Sequence, residues 1–234
     1  MAKMPGPHLL QLSQGKKKLA NQPAAEQMKK YLEETKFAVS SLIELVWTDF
    51  KILENLNEQL KALLFEFDFK HEIFLANEYH PAANYYHAQA AKAYEKMAQP
   101  KAEMERKIKE TYDSIDAKSA SISALSGAIL QIAKQCISLN YGKPQNAPDG
   151  TNIQGIPVKL IIWEGRNQSI HYENPKEISE HVVKIFENLD AVRADGKVWD
   201  PKSQRNFAFE IIKFLGWRTY DDFEDHLKSI KGKK

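Results

Sequence analysis

The spacing of apolar residues divides the chain into a series of helices. From Ala24 onward, apolar residues recur at steps of three and four with no proline or glycine among them, which predicts one long amphipathic helix ending near Phe65. A second helical piece is expected over Phe67–Tyr79, and Pro81 is expected to open a third that runs to about residue 98. Pro100 is then expected to begin another long helix.

The helix that follows Pro100 changes character halfway along. Its first half is charged, whereas its second half, which ends near Tyr141, is rich in serine and alanine and contains one glycine. Small side chains let a neighbouring helix approach closely, so we expect the second half to be buried. The stretch from Tyr141 to Pro157 contains several glycines and prolines and is expected to be a long loop.

Four shorter helices are expected in the remainder, and nothing alternates convincingly as a β-strand. The first is indicated by an apolar run, the second and third by a proline that follows an N-capping residue, and the fourth by a Thr–Asp capping pair. The expected spans are Val158 to about Arg166, Asn174 to about Leu189, Lys202–Leu215, and a last helix capped by Thr219 with Asp222. The predicted fold class is therefore all-α, a multi-helix up-and-down bundle with long N-terminal helices.

The net charge of +2 at pH 7 hides an uneven distribution. Residues 1–23 and 228–234 carry four lysines each and no acid. The intervening residues, 24–227, therefore carry 25 basic and 31 acidic side chains. Such basic ends could contact nucleic acid phosphates or could simply keep the chain soluble. The single cysteine, Cys136, excludes an internal disulfide and fits a reducing, cytoplasmic location. No apolar run approaches the roughly 20 residues that cross a bilayer, so no membrane partner is expected.

The candidate chemistry lies in "GRNQSIHYENP", residues 165–175. In an unbroken helix, Arg166 and His171 would point about 140° apart and would not share a site. The next helix is expected to begin only at about Asn174, so His171 is predicted to lie in or beside a turn and to fold back towards Arg166. The alternative is an exposed arginine at a helix end and a histidine in a turn.

An arginine beside a histidine suits RNA cleavage without a metal. Arg166 could bind two phosphate oxygens and stabilise a phosphorane, and His171 could take the 2′-hydroxyl proton near neutral pH. Asn167 could orient either side chain. A similar "RNFAFE", which begins at Arg205, has Glu210 in place of the histidine, so Arg205 is expected to be structural or salt-bridged.

An apolar helix, then Arg-Asn, three residues, a His and a capped helix resembles the signature of the HEPN domain family, here "RNQSIH" from Arg166 to His171. The resemblance covers about residues 105–215. It implies an HEPN-like helical bundle and a metal-independent endoribonuclease, often a toxin or antiviral effector, with two motifs meeting across a homodimer. In HEPN toxins paired with nucleotidyltransferase antitoxins a tyrosine lies two residues after the histidine, whereas here Tyr172 follows directly and Glu173 takes the later place.

These observations define the predicted organisation and site. The expected parts are a basic leader (1–23), an N-terminal helical extension (24–98), an HEPN-like bundle (99–218) and a C-terminal helix with a basic tail (219–234). Arg166, Asn167 and His171 are the predicted catalytic residues, and Tyr172 and Lys159 are expected to contact the substrate. No metal or other cofactor is expected, and the expected partners are RNA, a second copy of the chain, and an antitoxin or another partner protein.

Two other interpretations remain open. A catalytically inactive HEPN-like module could bind RNA or a protein, and a helical scaffold could be unrelated to that family. A metal site at His71, Glu78, His80 and His87 is less favoured because the spacing lacks a Cys partner or an i, i+4 His pair.

Overall fold

Six α-helices contain most of the residues that the computed structural model describes, which are 24–78, 87–193, 196 and 198–231. They are α1 (Ala24–Glu78), α2 (His87–Tyr141), α3 (Val158–His171), α4 (Glu180–Val192), α5 (Ala208–Phe214) and α6 (Tyr220–Ser229). The only strands among these residues are β1 (Asn152–Ile153) and β2 (Ile156–Pro157). The predicted all-α fold with long N-terminal helices is confirmed.

The two N-terminal helices are longer than the sequence pattern predicted. Helix α1 continues through Phe65 and Phe67 to Glu78, so the predicted break between two pieces was wrong. Helix α2 continues through Pro100, which was expected to begin a helix. A proline removes one backbone hydrogen bond, and a helix of 55 residues keeps its others on both sides of it. Pro81, the expected start of the third helix, lies outside the described residues.

The chain forms two compact units that divide within the long helices. One contains residues from Met1–Val46 and Ser123–Lys234, hereafter unit 1, and the other is Trp47–Ile122, hereafter unit 2. The sequence-based boundaries, after residues 23, 98 and 218, remain predictions. The "RNQSIH" segment therefore lies in a unit that also includes the start of α1.

Unit 2 contains one buried charged side chain among its described residues, the carboxylate of Asp49. Asp49 is 9% exposed, and its two oxygens accept hydrogen bonds from Lys118 Nζ at 2.6 Å and Ser121 Oγ at 2.7 Å. A buried carboxylate needs such partners because burial removes its hydration. The two hydrogen bonds fix α1 against α2 inside this unit.

The core of unit 1 is built from the second half of α2 and the shorter helices around it. The serine- and alanine-rich part of α2 is buried as expected, with Ile129, Leu130, Ala133, Cys136 and Ile137 fully enclosed. Other fully or nearly fully buried side chains come from α1, α3, α4 and α6 and from the segment between α5 and α6, and include Met28, Leu32, Ile161, Ile162, Phe186, Leu189, Trp217, Phe223 and Leu227. Helix α3 thus lies within this core and presents its opposite face outwards.

Residues 101–141 of α2 are long and apolar enough to span a membrane by length and composition alone. The sequence-based exclusion of any such segment was therefore too strict. Of the most apolar stretch, 39% is buried inside the protein. Its enclosed side chains belong to the core of unit 1.

The long loop after α2 is more ordered than expected. It contains a 3-10 turn at Pro144–Asn146 and a hairpin in which β1 pairs antiparallel with β2. The hairpin turn is Gln154-Gly155, and both residues have positive φ, 51° and 91°, as a tight two-residue turn requires. Strands of two residues leave no alternating pattern long enough to recognise in the sequence.

The caps of the later helices were predicted better than their starts. Thr219 and Asp222 form the predicted capping box of α6. Asn174 caps only a 3-10 turn, Pro175–Glu177, and α4 begins at Glu180. Helix α5 begins at Ala208 rather than at the predicted residue 202.

Candidate functional site

Helix α3 carries both Arg166 and His171 without a break. The helix runs from Val158 to His171, so His171 lies beside the turn that follows, as predicted, but the predicted helix end near Arg166 and the fold-back towards it were wrong. With 100° per residue, their side chains leave the helix about 140° apart. The structure therefore does not bring Arg166 and His171 together within one chain.

Arg166 lies half-buried against α2. Its Nε donates a hydrogen bond to Gln131 Oε1, and burial lowers the pKa of the guanidinium, which stays charged at any physiological pH. Neither of its terminal nitrogens has a described partner, and no carboxylate of the described chain lies within ion-pair distance. The charge of Arg166 is thus held in place by a neutral side chain and remains available to an anion.

His171 lies at the end of α3 and is oriented by a carboxylate. Its Nδ1 donates to Glu177 Oε2 at 2.7 Å, and its side chain is 38% exposed. Asn174 Nδ2 donates to the other oxygen of Glu177 at 2.8 Å, and these hydrogen bonds, that from His171 first, lower the pKa of Glu177. Nδ1 is therefore fixed, and Nε2, which has no described partner, is the nitrogen that can exchange a proton.

Asn167 is engaged by two charged neighbours. Its Oδ1 accepts a hydrogen bond from Lys134 Nζ at 2.9 Å, and its Nδ2 donates to Glu164 Oε2 at 2.9 Å. Asn167 thus orients Lys134 rather than Arg166 or His171. Sequence reasoning missed Lys134 because it lies 32 positions before Arg166, on another helix.

The two predicted substrate-contacting residues have intramolecular partners. Lys159 is 8% exposed; its Nζ donates to Ala147 O at 2.5 Å and pairs with Asp149 Oδ1 at 2.8 Å, which ties the preceding loop to α3. The hydroxyl of Tyr172 donates to Glu173 Oε1 at 3.0 Å, and this hydrogen bond is the main reason that its pKa is raised. Neither residue lies with Arg166 in one site.

Two residues of the motif hold α3 in the core, and sequence reasoning assigned neither a role. Gln168 is fully buried; its Nε2 donates to Arg205 O at 2.6 Å, and its Oε1 accepts from Phe207 N at 3.1 Å. A Cβ at Gly165 would lie 3.1 Å from Ile211, so the glycine lets α5 approach closely. A buried glutamine between polar residues gives no signal in the sequence.

Arg205, in the similar segment "RNFAFE", forms the predicted ion pair but does not lie in the predicted helix. Arg205 forms an ion pair with Glu210 and stacks its guanidinium 5.2 Å from the ring centre of Phe207, which confirms a salt-bridged role. It does not lie inside a continuous helix, because α5 begins only at Ala208. An arginine already paired with a carboxylate is a poor phosphate ligand, unlike Arg166.

No group of histidine, cysteine and carboxylate side chains suited to a metal occurs among the described residues. The alternative metal site at His71, Glu78, His80 and His87 lies outside the residues whose side chains are described. No protein-family model matches the chain, and no curated protein or solved structure shows significant similarity to it. Its function is therefore inferred from the geometry of α3 and its neighbours.

Proposed function

We propose that the protein is a metal-independent endoribonuclease that acts as a homodimer. The observation that carries the proposal is the His171–Glu177 pair, which fixes one imidazole nitrogen and leaves the other for proton transfer. The same helix carries Arg166, whose terminal nitrogens are not engaged by a described carboxylate. Because the two side chains diverge on α3, the site requires Arg166 of one copy and His171 of the other.

The outward face of α3 is suited to such a pairing. Arg166 and His171 lie at its two edges, and Asn167 and Ile170 lie between them on the helical wheel. Ile170 is 47% exposed, which is unusual for an isoleucine on a helix whose other face is core. A two-fold axis passing between residues 168 and 169 would pair Arg166 with His171 of the second copy, and Asn167 with Ile170.

In the proposed reaction the two residues act on one phosphodiester. His171 Nε2 takes the proton of the 2′-hydroxyl, and the resulting oxygen attacks the adjacent phosphorus. Arg166 stabilises the negative charge of the pentavalent phosphorane. The bond to the 5′-oxygen then breaks, that oxygen takes a proton from solvent water, and His171 returns its proton to solvent, which leaves a cyclic phosphate on one product and a 5′-hydroxyl on the other.

A second candidate is a binding module without catalysis. It is favoured by the unbroken α3, since Arg166 and His171 each have an intramolecular partner and point apart. A helical scaffold unrelated to HEPN domains gains some support from unit 1, which combines the start of α1 with the segment from residue 123 onward rather than residues 105–215 alone. Both candidates predict no RNA cleavage.

The test is cleavage of RNA in EDTA by the wild-type protein and by His171→Ala. We expect the folded variant to lose activity by roughly a hundredfold or more, because proton transfer accounts for about that much in such reactions. His181→Ala is the matched control, since His181 is an exposed histidine on α4. Cleavage that persists in His171→Ala, or that requires a divalent metal, would contradict the proposal.

The biological setting follows from the same proposal. A toxin or antiviral effector would act on cytoplasmic RNA, a location that the single cysteine also favours. Such an enzyme would be restrained by an antitoxin or another partner protein.

A further inference from the structure

A second cation lies beside Arg166 on the neighbouring helix. Lys134 of α2 places its Nζ 2.9 Å from Asn167 Oδ1 and 4.5 Å from the centre of the Trp163 ring. Arg166 contacts α2 one turn earlier, at Gln131. The residues Trp163, Arg166 and Asn167 of α3 thus adjoin Gln131 and Lys134 of α2, all of them neither fully buried nor fully exposed.

The two cations lack a carboxylate of their own. Among the described residues, neither Lys134 nor Arg166 forms an ion pair, and the side chains that they contact are uncharged. Burial and the charge of Arg166 both lower the pKa of Lys134, while Glu164 opposes them. Glu164 is itself buried and accepts from Asn167, so it compensates for only part of the positive charge.

The remaining donors match the oxygens of a phosphodiester. A lysine ammonium has three donors, of which one goes to Asn167, and an arginine has five, of which Nε goes to Gln131. Two non-bridging phosphate oxygens can accept from two different cations at once. The contacts with Asn167, Trp163 and Gln131 hold both charges in place before any ligand arrives, which reduces the entropy lost on binding.

We infer that Lys134 and Arg166 together bind one phosphodiester group of RNA, with Lys134 as a substrate-binding residue. The inference rests on the proposed function only in that its ligand is RNA, because binding does not require cleavage. No motif in the sequence identifies Lys134 as part of this site. Its aromatic contact with Trp163 orients the ammonium and does not neutralise it.

The experiment measures binding of a single-stranded 2′-O-methyl RNA of mixed sequence, which lacks the attacking hydroxyl and cannot be cut. Fluorescence anisotropy gives the dissociation constant of the full chain at several salt concentrations. We expect Lys134→Met, which keeps the apolar stem over Trp163, to weaken binding about tenfold and to lower the salt slope by roughly 0.7. Lys134→Arg should restore most of the affinity, since a cation at this position suffices.

Lys36→Met is the matched control. Lys36 also lies over an aromatic ring in unit 1, 5.1 Å from the centre of Tyr220, but no second cation accompanies it among the described contacts. We expect this variant to bind as the wild type does. Circular dichroism and thermal melting of each variant separate a loss of charge from a loss of folding.

The outcomes distinguish this inference from the proposed function. Wild-type binding that weakens in folded Lys134→Met supports the inference, even if unmodified RNA is never cleaved and the nuclease proposal fails. A folded Lys134→Met that binds with wild-type affinity and salt slope overturns the inference, even if the wild type cleaves RNA. A wild-type protein that does not bind the oligonucleotide also overturns it.

Discussion

Replacing Gln168 with methionine should destabilise unit 1 without touching the outward face of α3. Gln168 is fully buried, and methionine is close to it in length and volume, so the change removes hydrogen bonds rather than packing. Phe207 N would lose its acceptor at 3.1 Å, and Arg205 O would lose its donor at 2.6 Å. The third contact, with Pro201 O at 3.4 Å, is long and adds little.

The expected magnitude follows from these two groups. A buried donor or acceptor that loses its partner costs about 1–3 kcal/mol, so the two groups together give about 2–6 kcal/mol. In a chain of this length, that corresponds to a fall in Tm of roughly 4–24 °C. The assay is urea unfolding followed by tryptophan fluorescence, in parallel with thermal melting.

Gln135→Met is the control for this prediction. Gln135 is exposed, and its described hydrogen bond, from Gln131, is long at 3.4 Å. We expect its free energy of unfolding to change by less than about 0.5 kcal/mol. A Gln168→Met protein as stable as the wild type would refute the view that this glutamine anchors the segment before α5.

Three further predictions concern stability. Hydrogen bonds, first from Lys118 and then from Ser121, lower the pKa of Asp49. Its carboxylate therefore stabilises unit 2 above about pH 4, and this stabilisation is lost as the pH falls through the lowered pKa. Urea unfolding should show that Asp49→Asn is less stable than the wild type at pH 7 and that the difference in free energy is smaller at pH 3. Arg205→Ala should change the free energy of unfolding by less than about 1 kcal/mol, because its ion pair with Glu210 is exposed on the arginine side. Thermal melting of Thr219→Ala should show a loss of about 1 kcal/mol, from the capping box of α6.

Local signals in the sequence predicted local structure well. The capping box of α6 was predicted because both of its residues lie within one turn. Asp200 and Pro201 gave a similar signal but form a turn instead, in which Asp200 Oδ1 accepts from Lys202 N at 2.9 Å. Helix α5 starts later, and a short turn and a helix start share the same first residues in sequence.

The end of α3 could not be predicted because tertiary contacts decide it. The polar run "RNQS" lacks apolar periodicity and therefore suggested a helix end. Gln168 and Ser169 are nevertheless buried, and their hydrogen bonds are completed by Arg205, Phe207 and Asn206 from a distant segment. These partners make a polar helix face compatible with the core, and they place Arg166 and His171 on one continuous helix.

The arrangement of the candidate site could not be predicted from the sequence, and the roles of its residues remain predictions. The sequence identified Arg166, Asn167 and His171, while their partners Gln131, Lys134 and Glu177 emerge only from the packing of α2 on α3 and from the turn after α3. Helical spacing alone showed that Arg166 and His171 could meet only if the helix were broken. Since it is not, catalysis by these two residues requires two chains.

The most direct test of this requirement is a heterodimer of Arg166→Ala and His171→Ala chains, co-expressed with different tags and purified through both. If Arg166 of one chain acts with His171 of the other, each heterodimer keeps one intact site, and RNA cleavage in EDTA should return to about half of the wild-type rate. Each variant alone should remain inactive. A heterodimer as inactive as its parents, beside an active wild type, would contradict a site shared between two chains.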